Sequence, residues 1–244
     1  MTNIFIITPF PELVEAVISE SILGRAVKKE LVSYHLINVR DFTDGKFKQI
    51  DDKPFGGGAG MIMMAEPLLK AVDAAKKLME DSSEAVVVFP TPQGDQYTQE
   101  KAWELSKSKN MIFICGHYKG IDERIRESVV TDEISIGDYV LTSGELPSLV
   151  ILDSVVRLIP GVLGDEESAK TDSFTEELLD HPHYTRPEVV KGIQVPEVLL
   201  SGHHANIESW RKKEREERTA ERRPDIWEKY IQKKDKSFGD KSHG

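Results

Sequence analysis

Short apolar runs alternate with amphipathic stretches along the chain, and this pattern predicts strands and helices in turn. Residues 4–8 predict a buried strand, and residues 12–29 a helix whose apolar positions include Leu13, Val14, Val17 and Ile18. A second strand is predicted over 31–39. A polar stretch over 40–54, the string FGGGAG and a helix over 66–79 follow. Residues 85–89 predict another strand, running into a loop at PTPQG, with a helix over 99–106 and a strand over 111–115 beyond it. From Ile134 the run ISIGDYVLTSGELP predicts a strand breaking into a loop, then a buried helix over 149–159 that Pro160 and Gly161 end. Strands alternating with helices, without an internal repeat, predict an α/β fold with a mainly parallel sheet.

Three of the strands end in loops rich in glycine and proline: FPTPQG, CGHYKG and IGDYVLTSGELP. Loops at the carboxyl ends of parallel strands converge into one crevice, so these predict a single composite site for a small molecule. Gly137 and Gly144 leave backbone amides and carbonyls open to a ligand there. After this the chain changes character. Residues 164–173 (GDEESAKTDS) are polar and acidic, as in a linker or mobile loop, HPHYTRPEVV predicts an extended segment, and 205–223 predict an exposed helix. The last dozen residues, KKDKSFGDKSHG, carry the composition of a disordered tail.

A length of 244 residues suits one large domain or one large and one small. Charge favours the unequal division. Residues 203–244 hold 12 Lys or Arg against 9 Asp or Glu, a balance of +3, which leaves −13 of the total −10 for residues 1–202. A pI near 5.3 argues against coating nucleic acid or membrane through bulk charge, although a local basic surface can still hold phosphates. Cys115 is the only cysteine, so no intrachain disulfide forms and a reducing compartment is expected. MTNIFIITPF lacks a positive leader and a cleavage signal, and no run of about 20 apolar residues occurs. A soluble cytoplasmic protein without membrane attachment is the expectation.

Candidate chemistry is spread along the chain. FGGGAG lacks the Gly-Lys-Ser/Thr ending of a P-loop and follows no apolar strand; it reads as a flexible turn or as a loop that lets backbone approach a substrate. No GxGxxG turn joins an early strand to a helix, which weakens a dinucleotide-binding reading. His181, His183, His203 and His204 lack cysteine partners and clustered carboxylates, so hydrogen-bonding roles are favoured and no metal site is predicted. Arg211, Arg215, Arg218 and Arg222 recur along one helical face, fit for phosphate contacts or for ion pairs such as Glu214 with Arg218. Trp210 and Trp227 are read as anchors of that helix, and Asp172 as the cap of a following one.

The ordered strings DDKPFGGGAGM, PTPQG, CGHYKGIDER, DEISIGDYVLTSGELP, RLIPGVLG, DSFTEELLDHPHYTRPE and VPEVLLSGHHANI resemble the bacterial tRNA (guanine-N1)-methyltransferases over residues 1–230. The resemblance implies a SPOUT-type α/β domain with a deep trefoil knot, an exception to the rule of unknotted chains, and a small helical C-terminal domain. It divides the chain into a knotted cofactor-binding domain over 1–163, a linker over 164–178, a helical tRNA-binding domain over 179–232 and the tail 233–244. It implies a homodimer with the active site at the subunit interface and methyl transfer from S-adenosylmethionine to N1 of guanosine 37, in tRNAs with guanosine at position 36. Cofactor contacts implied in this way are Phe89, Pro92, Gly116, Tyr118, Gly120, Ile136, Gly137, Asp138, Tyr139, Val140, Leu141, Ser143, Gly144 and Pro147. Asp172 matches the family's proposed base, and Arg157 an arginine that steadies that carboxylate and the charge developing on guanine O6. Asp51, Gly58 and Gly60 of the glycine-rich loop, with Arg186, Arg211 and Arg215, are implied to hold the anticodon stem and loop.

Three residues depart from the family pattern: Lys119 stands where glutamate is common, Ser143 where glycine is common, and Pro90 stiffens a cofactor loop. Lys119 reverses a charge beside the substrate, which leaves a magnesium requirement open. The reading from another class is a knotted module that holds tRNA or cofactor without catalysis, and retention of Arg157 and Asp172 weighs against it.

Overall fold

The computed structural model describes residues 1–164 and 172–239, with side chains to residue 235. The chain forms two compact units, Met1–Glu166 and Glu167–Gly244. In the first unit, β1 (Thr2–Thr8) pairs in parallel with β2 (Val32–Asn38). Between them the single helix predicted over 12–29 is instead two, α1 (Pro11–Ile18) and α2 (Ser21–Lys28). The cause is local: Glu20 is extended, and Gly24 lets the Ser19 carbonyl come so close that any Cβ would collide with it.

A 3-10 turn (Val39–Phe42), the short antiparallel pair β3 (Asp51–Asp52) and β4 (Ile62–Met63), and α3 (Ala65–Lys77) follow. The next elements are β5 (Val86–Gln96), α4 (Gln99–Leu105), β6 (Asn110–Ile114), α5 (Glu123–Val129), β7 (Asp132–Ser135) and α6 (Glu145–Val156). The five long strands make one parallel sheet in the order β2-β1-β6-β5-β7. Ile4, Phe5, Ile6 and Ile7 are all at most 1 % exposed, and so are Met111 to Ile114. Both faces of the sheet are covered, which is why these strands read as continuous apolar runs rather than as alternation.

Two differences from the sequence reading shape the site. PTPQG is not simply a loop after β5: the strand bulges between Pro90 and Asp95 and then resumes pairing with β7. Gly94 presses on the backbone of Glu133 and Ile134 with no room for a Cβ, so the return needs glycine. In addition, α6 begins four residues before the predicted Leu149, which brings Glu145, Leu146 and Pro147 into its first turn, and it ends at Val156, before Pro160.

The second unit holds an antiparallel pair, β8 (Val189–Val190) with β9 (Ile193–Gln194), then α7 (Glu197–Leu200), α8 (His204–Arg222) and α9 (Pro224–Gly239). Helix α9 corrects the reading of the tail: residues 233–239 are helical, because Ile226, Trp227 and Tyr230 give the segment an apolar side that packs on α8. Residues 240–244, and 165–171 of the predicted linker, lie outside the described residues. Among the described residues no helix is long and apolar enough to cross a membrane.

Candidate active site

The bulge of β5 and the loops that leave the carboxyl ends of β6 and β7 wall one cleft in the first unit. The loop after β6 is pulled into place by Lys119 N–H donating to the Met61 carbonyl (3.0 Å) and by Gly120 N–H donating to that of His117 (3.1 Å). Tyr118 takes φ +61°, a cost that the surrounding contacts hold in place. The loop after β7 returns against it, with Gly144 N–H donating to the Gly116 carbonyl at 2.8 Å. A Cβ on Gly144 would lie 2.5 Å from the Gly116 nitrogen and 2.8 Å from Cys115 Cα, so the two backbones meet only because glycine is there.

Thirteen of the fourteen predicted cofactor residues line this cleft: Phe89 and Pro92; Gly116, Tyr118 and Gly120; Ile136, Gly137, Tyr139, Val140 and Leu141; Ser143, Gly144 and Pro147. Asp138 does not line it; at the turn of the loop it is exposed to solvent, while its neighbours Gly137 and Tyr139 face in. Pro90, Thr91, His117, Lys119, Ile134, Ser135 and Thr142 complete the wall. The surface is largely apolar, and the backbone amides of Ile136 and Leu141 have no hydrogen-bond acceptor among the described residues. An apolar slot edged by backbone donors suits a flat heteroaromatic ring, such as that of a nucleoside-containing methyl donor.

Sequence reasoning missed the group at the base of this wall. Glu145, fully buried, accepts from Thr8 Oγ1 at 2.6 Å, and its two oxygens lie 2.8 and 3.0 Å from His117 Nε2. Burial alone would raise its carboxyl, but hydrogen bonds from His117, Ser143 and Thr8 outweigh that and hold it below its ordinary value. Only its place in the first turn of α6 could have signalled it, and the helix had been predicted to start later. Cys115, beside it, is an inert thiol: burial, then the Glu145 charge, pushes it far above the ordinary thiol range.

The remaining predicted residues are distributed as follows. Asp51 in β3 meets the Tyr118 hydroxyl, and burial together with that carboxylate raises the phenol. Gly58 and Gly60 lie on the exposed glycine-rich loop, which folds onto Lys119: a Cβ at Gly60 would come within 2.7 Å of Lys119 Cγ. Arg157 caps the end of α6 in the first unit, and Asp172 belongs to the second, where its carbonyl accepts from Thr175 N–H. Arg186 is exposed in the extended segment. Arg211 pairs with Glu208 (2.7 Å) and Arg215 with Glu176 (2.9 Å), while Lys213, rather than Arg218, takes the i,i+4 pair on α8, with Glu217.

These two arginines, with Lys212, Lys233 and Lys234, line a groove of the second unit that Glu176, Asp180 and Glu208 edge. Arg211 Nε and Arg215 Nε and Nη2 are buried there without a hydrogen-bond acceptor among the described residues. Asp180, His181 and His183 bring one ligand atom each within 4.8 Å of one another. Hydrogen bonds account for that grouping, His183 Nε2 meeting Asp180 at 2.8 Å and His181 Nδ1 the Pro182 carbonyl at 3.1 Å. Trp210 lies against His181 and Tyr184, and Trp227 stacks on Tyr230.

The family model described as tRNA (Guanine-1)-methyltransferase TrmD matches residues 2–229. The chain belongs to this family. A tRNA (guanine-N(1)-)-methyltransferase of Anoxybacillus flavithermus is 54% identical over 228 residues, covering 93% of this chain and 92% of that protein. Proteins of the same name from Brevibacillus brevis (55% identical, 93% of this chain and 92% of that one) and Bacillus pumilus (55%, 90% and 89%) are similarly close. This methyltransferase family is of the SPOUT type, consistent with the parallel sheet and the loops at its carboxyl edge.

Proposed function

We propose that this protein transfers a methyl group from S-adenosylmethionine to N1 of guanosine 37 in tRNAs that carry guanosine at position 36. The observation that carries this reading is the convergence of the three glycine- and proline-bearing loops on one apolar cleft, in a chain that belongs to a tRNA methyltransferase family. Held by residues 89–92, 116–120 and 136–144, S-adenosylmethionine would supply an electrophilic methyl group on a sulfonium. The loops of residues 116–120 and 136–144 grip the cofactor through backbone and exclude water, so alignment of donor and acceptor supplies much of the rate. Guanine N1 bears a proton, and Asp172 is the base that takes it as the N1–methyl bond forms. Arg157 stabilises the negative charge that gathers on guanine O6. The target base must leave its stack to reach these groups.

The groove of the second unit holds tRNA phosphates through Arg211 and Arg215; their buried, unsatisfied nitrogens support this. Asp51, Gly58, Gly60 and Arg186 add contacts to the anticodon stem and loop. The enzyme works as a homodimer. Exposed Phe10, Leu13 and Val17 around α1 and Leu146 and Val150 on α6, two helices that pack side by side, make an apolar surface suited to a second copy. The knotted threading is taken from the family resemblance, and the cytoplasm is the compartment in which tRNA is met. Domain limits of 1–163 and 164–178 remain those of this reading, with a helical domain that begins at 179 and includes the whole of α9.

The test is methyl transfer to an unmodified tRNA with guanosine at 36 and 37, against a copy changed at 36, with the product mapped by mass spectrometry. One-methylguanosine at 37 in the first tRNA only is the expected outcome. Cofactor binding without transfer would favour a noncatalytic tRNA- and cofactor-binding module.

A further inference from the structure

Glu145 sits between Gly144 and Pro147, which line the cleft, yet is itself not part of the lining. Its side chain is 1 % exposed. Removing a carboxylate from water is costly unless its lone pairs are satisfied, and an acidic residue in the first turn of a helix needs no such burial to favour the helix dipole. Something other than capping is therefore served by the placement. The partners show what: Thr8 is the last residue of β1, His117 belongs to the loop after β6, and Ser143 to the loop after β7. One carboxylate thus ties the two loops that wall the cleft to the rigid sheet. Thr8 is held in turn, accepting from the Phe10 N–H at 2.9 Å, and the Phe10 ring lies 5.2 Å from that of His117. Ser143 is one of this chain's own departures, and its hydroxyl adds a donor that glycine cannot supply.

We infer that Glu145 is a positioning residue of the methyltransferase, which sets the width of the cofactor cleft by holding His117 and Ser143 from behind. This rests on the reading of the cleft as the S-adenosylmethionine site. Glu145 touches neither the cofactor nor guanine, and acts through the two loops.

Calorimetric titration of S-adenosylmethionine into wild type and Glu145→Gln, with thermal unfolding and steady-state kinetics in parallel, tests the inference. The amide keeps the shape but loses the charge and an acceptor, so cofactor affinity is expected to fall by about tenfold or more. The KM for the cofactor should rise while the KM for tRNA stays at the wild-type value, a split that a merely structural role would not produce. Unchanged cofactor affinity with a lowered melting temperature would overturn the inference. If Glu145→Gln does not fold, Thr8→Val and Ser143→Gly carry the test, each expected to weaken the cofactor by roughly threefold to tenfold through one lost hydrogen bond. Wild-type affinity in both would overturn the inference as well. Failure of the wild-type protein to bind the cofactor at all is a separate result, which removes the reading of the cleft and this inference with it.

Discussion

In the first unit the cleft is walled by glycines, prolines and apolar side chains whose backbone is fixed by the sheet edge, whereas the groove of the second unit is walled by arginines and lysines facing carboxylates. The cleft recognises through shape and backbone donors, so its selectivity depends on distances of a few tenths of an ångström and little on salt. The groove recognises through charge. Its pair of Arg211 with Glu208 is largely exposed, contributes little to stability and can exchange a carboxylate for a phosphate. A small ligand bound once per turnover suits the first material, and a long polyanion gripped and released suits the second.

The comparison can be broken in several places. Asp172→Asn should leave binding in both regions intact while lowering turnover by about 10²- to 10⁴-fold; single-turnover rates beside cofactor and tRNA titrations check this, and near-normal turnover removes Asp172 as the base. Gly144→Ala attacks the backbone-built wall. Its new methyl meets Gly116 and Cys115, so the loops must part, with stability expected to fall by about 1–3 kcal/mol and cofactor binding to be lost or severely weakened. Denaturant melts and calorimetry would expose the error if both matched wild type. Arg215→Ala attacks the groove: tRNA affinity should fall and the salt slope drop by about 1, with cofactor affinity unchanged. An unaltered salt slope would mean that Arg215 serves only its pair with Glu176.

Smaller effects sharpen the contrast. Glu145 has a depressed carboxyl in the folded protein, so its contribution to stability is present above the unfolded-state value and is lost as pH falls through the lower folded value. Urea melts taken downward through the acid range should show a steeper loss for wild type than for Glu145→Gln, and parallel curves would contradict the network. Lys119→Glu reverses a charge on the cleft wall, and on the proposed reading should change the response of turnover to added magnesium with little effect on cofactor affinity. Superimposable magnesium titrations would show that Lys119 does not govern the metal response.

The central strands β1 and β6 were legible because they are buried on both faces and so read as nearly unbroken apolar runs. The loops were legible because glycine and proline mark where backbone must bend or meet backbone, as at Gly137 and Gly144. Less legible were elements whose cause is a contact rather than a composition. The break between α1 and α2 depends on the Ser19 carbonyl lying against Gly24, and the bulge in β5 on contact between Gly94 and Glu133. The end of helix α9 looked disordered by composition, because residues 233–239 are rich in Lys while Trp227 and Tyr230 of the helix, which packs on α8, come earlier in it.

By itself the sequence determined the alternation of the main strands and helices, the parallel sheet and the glycine- and proline-bearing loops at its edge. Those depend on periodicity and on residue types with local conformational rules. Only the tertiary structure decided which charges are buried and what they hold. Glu145 is one acidic residue among 42, and nothing within a few residues of it distinguishes it. Thr8 and His117 lie 137 and 28 residues away along the chain, and the hydrogen bonds that make its burial tolerable exist only once the sheet has brought them together.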